Sequence, residues 1–400
     1  MTDFDRNYSM TIGGKSVSAK GQIDVINPAT GEVFAQAPDC SREQLDDAVA
    51  SARLAFKAWK LRPIEERADL LAKAGDIILQ HSAELARLFT KEQGRPTEGA
   101  AAEIMMSGQW LKMVSQMRPP VHISEDSDAQ FIETRYVPLG VVCAIAPWNF
   151  PVNLAIWKVA PALLAGNTMV LKPSPFTPLC TLKIGELLQD ILPPGVLNVI
   201  SGGDELGPWM TSHPGFAKIS FTGSTETGKK VMESAARDLK ALTLELGGND
   251  AAIVLPDVDV DEVAQKIFFG AFANTSQICV ATKRLYVHES VYDALRDRVV
   301  QEEAFGPVLP MLKFSDIDDV IDRANDSEYG LAGAVWSKNT DAAMKIARKM
   351  ETGTVWINQN LNLRPDTPFG GHKASGFGVE NGMEGLLEFM APQAVYVAKH

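Results

Sequence analysis

Several features that would assign this chain to a special class of protein are missing from its 400 residues. No run approaches the roughly eighteen consecutive apolar residues that a membrane span needs, so no membrane-spanning helix is expected. Residues 1–6 carry an early acidic pair and lack the apolar core and small-residue cleavage site of a signal peptide. The resulting expectation is a cytoplasmic protein.

Cysteine and histidine are also scarce. The four cysteines are widely spaced and form no CxxC pair, which argues against a disulfide framework and against a zinc site. The six histidines are scattered, and the acidic segment 257–262 lacks the glycine and distal glutamate of a calcium loop. We therefore expect free thiols in a reducing compartment, no bound metal, and a helix start at the acidic segment.

Basic residues are outnumbered by acidic ones, 38 to 50, which gives a net charge of −12. No basic run occurs, and aromatic and basic residues do not interleave, so nucleic acid is not an expected partner. The content of 46% hydrophobic and 22% charged residues is typical of globular proteins. Because the length exceeds what one core normally supports, two or more domains are predicted.

Strand and helix patterns alternate along much of the chain. After an irregular start, Ser41 opens a capping box before a helix that runs to Trp59, and a second helical region covers residues 64–91. Short apolar strands are predicted at 131–137, 140–145, 168–173, 196–200, 218–221, 333–336, 353–358 and 394–397, with helices at 179–189, 316–325 and 342–350. The alternation predicts a parallel α/β sheet, whose ligands bind beyond the carboxyl ends of its strands.

Two residues indicate chemistry. Glu245 lies in Leu-Glu-Leu-Gly-Gly, and Cys279 follows it by 34 residues in Ser-Gln-Ile-Cys. A cysteine can form an acyl-thioester, and a carboxylate can activate the water that hydrolyses it. Each residue also has a plainer interpretation, because an isolated cysteine is often a small buried hydrophobe and the Glu245 segment could be only a strand and a turn.

Two further positions are ambiguous when taken alone. Gly223 and Ser224 stand where a strand gives way to a helix, a geometry that can hold a pyrophosphate but is also a common structural joint. Lys172 ends another strand, where a lysine is usually only solvated.

Seven motifs in order change the weight of these signals: Ala146-Pro-Trp-Asn-Phe-Pro151, Leu171-Lys-Pro-Ser174, Phe221-Thr-Gly-Ser224, Leu244-Glu-Leu-Gly-Gly248, Gln277-Ile-Cys279, Glu303-Ala-Phe-Gly-Pro307 and Pro368-Phe-Gly-Gly371. Together they resemble the NAD(P)-dependent aldehyde dehydrogenase superfamily over nearly the whole chain. The resemblance implies an α/β fold with three parts: a Rossmann-like parallel-sheet cofactor domain (1–122 and 140–246), an α/β catalytic domain (247–378) and a small β bridging element for oligomerisation (123–139 and 379–400).

The resemblance also implies roles. Cys279 is the expected nucleophile, Asn149 holds the oxyanion together with the Cys279 backbone N–H, and Glu245 deprotonates the hydrolytic water. The expected contacts to NAD or NADP are Ile145, Pro147, Trp148, Lys172, Gly223, Ser224, Leu246, Glu303 and Phe305. An ordinary thiol is only about 3% ionised at pH 7, so a site that stabilised the thiolate would gain in nucleophile.

The expected substrate is a small-molecule aldehyde, whose identity the sequence does not reveal. Trp110, Trp157 and Phe369 could line an apolar entrance or be ordinary core. The bridging element implies a homo-dimer or homo-tetramer.

Three departures from the family pattern stand out. Pro175 occupies the position of a ribose-binding glutamate, which leaves the choice between NAD and NADP open. Ser276 replaces a glycine, which would add strain if that position needs positive φ. Several tens of residues are missing near Val300, so the catalytic domain is expected to be shortened. Besides an active dehydrogenase, two alternatives follow: an impaired member that binds nucleotide or other subunits, and a thioesterase that uses Cys279 and Glu245 without hydride transfer.

Overall fold

The structure is a computed structural model that describes residues 4–300 and 309–399. Its first elements are β1 (Met10–Ile12), β2 (Lys15–Val17), β3 (Gly21–Asn27), β4 (Glu32–Asp39), α1 (Arg42–Trp59), α2 (Ile64–Gln80), α3 (Ser82–Gln93), α4 (Thr97–Val114), β5 (His122–Asp126) and β6 (Gln130–Pro138). The expected irregular start is wrong, because β1 pairs with β2 and β3 pairs with β4.

The predicted capping box is confirmed. The Ser41 hydroxyl accepts the N–H of Gln44, whose side chain accepts the N–H of Ser41. The single helical region predicted over 64–91 is instead two helices, since the backbone of His81, with φ −101° and ψ 18°, interrupts the helical geometry between α2 and α3.

A parallel sheet forms the next part of the chain. Its elements are β7 (Val141–Ile145), α5 (Asn153–Leu164), β8 (Thr168–Lys172), α6 (Leu179–Leu188), β9 (Leu197–Val199), α7 (Leu206–Ser212), β10 (Lys218–Thr222), α8 (Thr225–Ala236) and β11 (Ala241–Glu245). The strand order is β11-β10-β7-β8-β9, all parallel. β8 and β10 are buried along their whole length, as expected for strands covered by helices on both faces.

The last part holds α9 (Val260–Phe272), a short 3₁₀ turn (Ala273–Ser276), α10 (Glu289–Val300), α11 (Ile317–Asn325), α12 (Thr340–Ala347) and α13 (Gly382–Leu387). Its strands are β12 (Asp250–Val254), β13 (Thr282–His288), β14 (Met311–Phe314), β15 (Tyr329–Gly330), β16 (Ala332–Trp336), β17 (Thr354–Ile357), β18 (His372–Lys373), β19 (Gly376–Phe377) and β20 (Met390–Ala398). The acidic segment does start a helix, because Asp259 caps α9 by accepting the N–H groups of Asp261 and Glu262.

Three larger sheets hold most of these strands, and β3-β4 and β15-β18 form separate two-stranded sheets. The first extends the parallel strands to the order β19-β11-β10-β7-β8-β9-β1-β2, and the second is a parallel sheet in the order β14-β13-β12-β16-β17. The third is antiparallel, in the order β20-β6-β5, and β20 pairs with β6 along its whole length. The strand predicted at 394–397 is thus the end of a longer one. The domain boundaries stay a prediction.

The first and second sheets meet where β11 ends and β12 begins. Between them, a Cβ on Gly248 would lie 2.5 Å from the carbonyl oxygen of Cys279, so this close approach of two backbones requires glycine. The connection brings the end of β11 next to the loop that precedes β13. None of the helices in residues 4–300 and 309–399 is long and apolar enough to cross a membrane.

Candidate active site

A cleft of about 700 Å³ lies where the first two sheets meet. Glu245, Cys279 and Asn149 all line it. Its wall is largely apolar and includes Met106, Phe150, Leu154, Trp157, Phe269, Ile278, Leu361, Leu363 and Phe369. The three residues expected to carry the chemistry, which are far apart in the sequence, therefore share one cavity.

The aromatic residues proposed for the entrance separate into two roles. Trp157 and Phe369 line the cleft and meet edge to face, with ring centroids 5.7 Å apart. Trp110 stacks on Trp157 at 5.2 Å and donates its indole N–H to Asn381. Trp110 thus supports the lining, as core packing does.

Cys279 follows a backbone turn of unusual geometry. Asn274, Thr275 and Ser276 have φ values of +50°, +57° and +62°, so three successive non-glycine residues are left-handed. Ser276 therefore has the positive φ that was expected to add strain at this position. Such a conformation costs roughly 1–2 kcal/mol per residue for L-amino acids other than glycine, and it is most unusual for a β-branched residue such as Thr275.

The surroundings of Cys279 do not stabilise its thiolate. Burial, the nearby Glu245 and Asp250 together raise the pKa of the thiol to about 12. Cys279 is nevertheless the one cysteine of the four that is only half-buried. In the free protein the thiol is therefore neutral, and a base has to remove its proton before it can attack.

Glu245 ends β11 and is 3% exposed. Burial, followed by the nearby Glu380, raises its pKa well above the ordinary value, while Lys158 and a backbone hydrogen bond from Gly371 act in the opposite direction. Its Oε1 has no hydrogen-bond partner among the described residues. A buried carboxyl group with a raised pKa and an available oxygen is suited to taking a proton from water.

Sequence reasoning missed the charged pair behind Glu245. Lys158 Nζ lies 2.5 Å from Glu380 Oε1 and 2.7 Å from the hydroxyl of Thr222, and both charged side chains are almost completely buried. One signal was available: every residue of α5 is buried, and Lys158 is the one charged residue in that helix. Its partner could not be read from the sequence, because Glu380 lies 222 residues away.

Asn149 faces the cysteine loop. Its side-chain Nδ2 donates to the carbonyl of Gln277 at 2.9 Å, two residues before Cys279. A neutral amide in this place can donate a hydrogen bond to an oxyanion without pairing permanently with the thiolate.

Within the described residues, the expected cofactor contacts lie at the carboxyl ends of the parallel strands of the first sheet. Ile145, Lys172 and Glu245, with Leu246 next to it, mark the carboxyl ends of the parallel strands β7, β8 and β11. Pro147 and Trp148 follow β7, and Trp148 is 41% exposed. Glu303 and Phe305 lie outside the described residues.

Gly223 and Ser224 join β10 to α8. The Ser224 hydroxyl accepts the N–H of Thr227 and so caps α8. A Cβ on Gly223 would lie 2.4 Å from the ring of Phe221, so glycine keeps this turn open.

Lys172 is 5% exposed, and its Nζ donates to the carbonyl of Pro173 at 3.4 Å. Burial lowers its pKa to about 8, although Asp204 and Asp39 favour the charged form. A buried ammonium with one long contact can accommodate a polar ligand such as a ribose. Among residues 4–300 and 309–399, no three His, Cys, Asp or Glu side chains form a group that could hold a metal ion.

Comparisons with known proteins agree on one family. The model of the aldehyde dehydrogenase family matches residues 16–301 and 296–395, two ranges that meet near Val300. The aldehyde dehydrogenase LUC3 of a Fusarium species is 36% identical over 458 aligned positions, which cover 97% of this chain and 98% of that protein. The alignment has 58 positions more than this chain has residues, as expected if an internal segment is missing.

Two solved structures are similar throughout. The NAD+ complex of an aldehyde dehydrogenase from Bacillus cereus has a TM-score of 0.94 at 31% identity and covers 99% of this chain and 97% of that one. An NADP-dependent enzyme of E. coli has a TM-score of 0.93 at 30% identity and covers 98% of both chains. In both cases the likeness extends over nearly the whole of each chain.

Proposed function

The chain belongs to the aldehyde dehydrogenase family, and on that premise we propose that it oxidises an aldehyde to the carboxylic acid with NAD or NADP through a thioester on Cys279. One observation carries the proposal: Cys279, Glu245 and Asn149 line a single, mostly apolar cleft. An apolar wall suits an aldehyde with an apolar substituent, because it excludes the water that would compete for the carbonyl.

The first half of the reaction forms the thioester. The Cys279 thiol loses its proton to a base from the solvent, and the sulfur attacks the carbonyl carbon. The oxyanion accepts hydrogen bonds from Asn149 Nδ2 and the Cys279 N–H. A bound NAD or NADP would supply the acceptor for the hydride on this carbon, and loss of that hydride would restore the carbonyl and leave the thioester.

The second half releases the acid. Glu245 takes a proton from a water molecule, and the resulting hydroxide attacks the thioester carbon. The carbon–sulfur bond then breaks, and the Cys279 sulfur leaves as a thiolate that is reprotonated. The raised pKa of Glu245 makes it a stronger base than an exposed carboxylate.

The residues at the sheet edge fit a dinucleotide. Lys172 would hold the adenosine ribose. Gly223, whose own N–H donates to the Glu245 carbonyl, would let the pyrophosphate approach the backbone, and the N–H groups from Ser224 into the start of α8 would hold it. The wall beside them would include Ile145, Trp148 and Leu246. Pro175 supplies no carboxylate against a 2′-phosphate, so both cofactors are proposed.

The second candidate function is that of an impaired family member, which binds the cofactor but no longer oxidises an aldehyde. The alignment supports it, because the match is divided near Val300 and the motif with Glu303 follows at once. We also propose that β20-β6-β5 pairs subunits into a dimer or tetramer, since Val121, Ile123, Tyr396 and Val397 are exposed in or beside it. The four free cysteines support a cytoplasmic location.

The test combines turnover and cofactor binding. Aldehydes of increasing apolar size are supplied with NAD or NADP, and the reduced cofactor and the acid are measured, with Cys279→Ala as the control. Thermal unfolding is followed with and without each cofactor. Turnover that requires Cys279 supports the first candidate. Stabilisation by a cofactor without turnover supports the second. Sequencing the gene and its transcript shows whether the join near Val300 is native.

A further inference from the structure

A largely buried arginine contacts both the loop that carries Asn149 and the turn that leads to Cys279. Arg95 lies between α3 and α4, and its side chain is 9% exposed. Its guanidinium nitrogens donate in three directions: to Glu103 Oε2 at 2.5 Å, to the backbone carbonyl of Asn149 at 2.6 Å and to Asn274 Oδ1 at 3.2 Å. The group also lies 4.3 Å from the centre of the Phe150 ring.

Two of these partners belong to the proposed chemistry. Asn149 carries the amide assigned to the oxyanion, and Asn274 is the first residue of the left-handed turn that leads to Cys279. The rigid, planar fork of an arginine can hold several acceptors at fixed angles, which the flexible ammonium of a lysine cannot do. Arg95 therefore sets the spacing between the Asn149 loop and the turn.

The turn needs support because it is strained. Arg95 holds its first residue through the Asn274 side chain. At the other end, Lys283 Nζ donates to the carbonyl and the hydroxyl of Ser276, at 2.6 and 2.5 Å. A backbone conformation of this kind persists when its surroundings fix it.

The anchor of Arg95, Glu103 in α4, also holds the Asn149 loop. Glu103 accepts Arg95 on one oxygen, and its other oxygen accepts the N–H groups of Val152 and Asn153 at 3.1 and 3.0 Å. The carboxyl group thus holds the start of α5 while it orients the arginine. The loop from Asn149 to Asn153 is fixed at both ends by this ion pair.

We propose that Arg95 is a positioning residue that fixes the Asn149 amide relative to Cys279, by holding the Asn149 backbone and the strained turn at the same time. Its catalytic consequence rests on the proposed function. A displacement of about 1 Å between reacting groups can cost about 100-fold in rate, so the loss of the fork should slow the chemical step.

The test compares Arg95→Lys with a matched control, Arg67→Lys. Arg67, which lies in α2, is 8% exposed and also donates to backbone carbonyls, those of Leu164 and Arg62. The full-length protein is used. Turnover is measured with aldehyde and cofactor, and hydrogen exchange is followed by mass spectrometry in peptides that cover 146–153 and 272–280.

We expect Arg95→Lys to lower kcat about 10- to 100-fold, with the KM of aldehyde and cofactor within about threefold of the original protein. Exchange should become faster in both peptides, while Arg67→Lys keeps kcat and changes neither. A kcat within about threefold of the original would overturn the proposal. The proposal also fails if both variants lose kcat in step with their unfolding temperatures.

Two further outcomes have a defined meaning. If the original protein shows no turnover, the proposed function fails, and the exchange data alone decide: faster exchange in both peptides of Arg95→Lys supports positioning, and unchanged exchange refutes it. If Arg95→Lys does not fold, Asn274→Gly replaces it, since glycine keeps the positive φ and removes the acceptor. A lower kcat then supports the proposal, and an unchanged kcat overturns it.

Discussion

Cys279 should react slowly with alkylating agents in the free protein, and its rate should keep rising with pH. The thiol is half-buried and lies near two carboxyl groups, Glu245 and Asp250, so that its pKa is raised to about 12. The other three cysteines are fully buried, so a label on Cys279 can be followed by peptide mass. The alkylation rate therefore measures how strongly the cleft disfavours the Cys279 thiolate.

The size of the effect follows from two opposing quantities. At pH 8 a thiol with pKa about 12 is ionised in about 1 molecule in 10,000, whereas an ordinary thiol is about one quarter ionised. The higher pKa also makes each thiolate more nucleophilic, by about 40-fold for a Brønsted slope near 0.45. The two together predict alkylation about 60-fold slower than that of an exposed thiol.

The assay is the rate of iodoacetamide labelling of Cys279 from pH 7 to 10, with glutathione as the reference thiol. The rate should increase about tenfold for each pH unit, without a plateau. Glu245→Gln should speed labelling only at pH values above the pKa of Glu245 itself, where the carboxylate charge it removes is present. A plateau below pH 9 in the original protein would refute the reasoning, because it would mean that the cleft stabilises the thiolate.

Four other substitutions have expected outcomes. Asn149→Ala should lower the first-turnover rate about 100- to 1000-fold, since one oxyanion donor contributes about 2.7–4 kcal/mol, and near-normal thioester formation would remove that role. Glu245→Gln should release one equivalent of reduced cofactor in a burst and then stall, so steady turnover would argue against its part in hydrolysis. Lys158→Met leaves Glu380 buried without its cation and should destabilise the fold by about 3–5 kcal/mol, which an unchanged unfolding temperature would contradict. Thr275→Gly should raise that temperature by about 1–2 °C, because relief of the left-handed strain exceeds the added chain entropy, whereas Thr275→Ala, which keeps a Cβ, should not.

The parallel strands were predictable because burial on both faces leaves a continuous apolar run. The predictions at 140–145 and 168–173 are each one residue longer than β7 and β8, and the prediction at 218–221 stops one residue before β10 ends. β3 was missed because it has no continuous apolar run: Val25 is its one buried residue, and the others are exposed or half-buried. The break at His81 was missed because apolar residues keep a helical spacing on both sides of it.

The sequence predicted that Cys279, Glu245 and Asn149 belong to one site, and the three line one cleft, while their roles stay a prediction. The surroundings of this site were not predictable. The raised pKa of Cys279 depends on Asp250 and Glu245, whose distance from the thiol is set by the meeting of two sheets. Arg95 gave no signal, because its contacts with Asn149 and Asn274 join segments that only the tertiary fold brings together.

β11, the strand that ends in Glu245, has a neighbouring strand that comes much later in the sequence. β19 pairs with β11 in an antiparallel manner, with Gly376 opposite Glu245, and a Cβ on Gly376 would lie 1.9 Å from the Leu244 carbonyl oxygen. During synthesis at about 5–20 residues per second, this edge waits roughly 7–26 s for its partner to be made. Glu245 therefore reaches its final place only after Gly376 has been synthesised, and a nascent chain that stalls before Gly376 carries an open sheet edge.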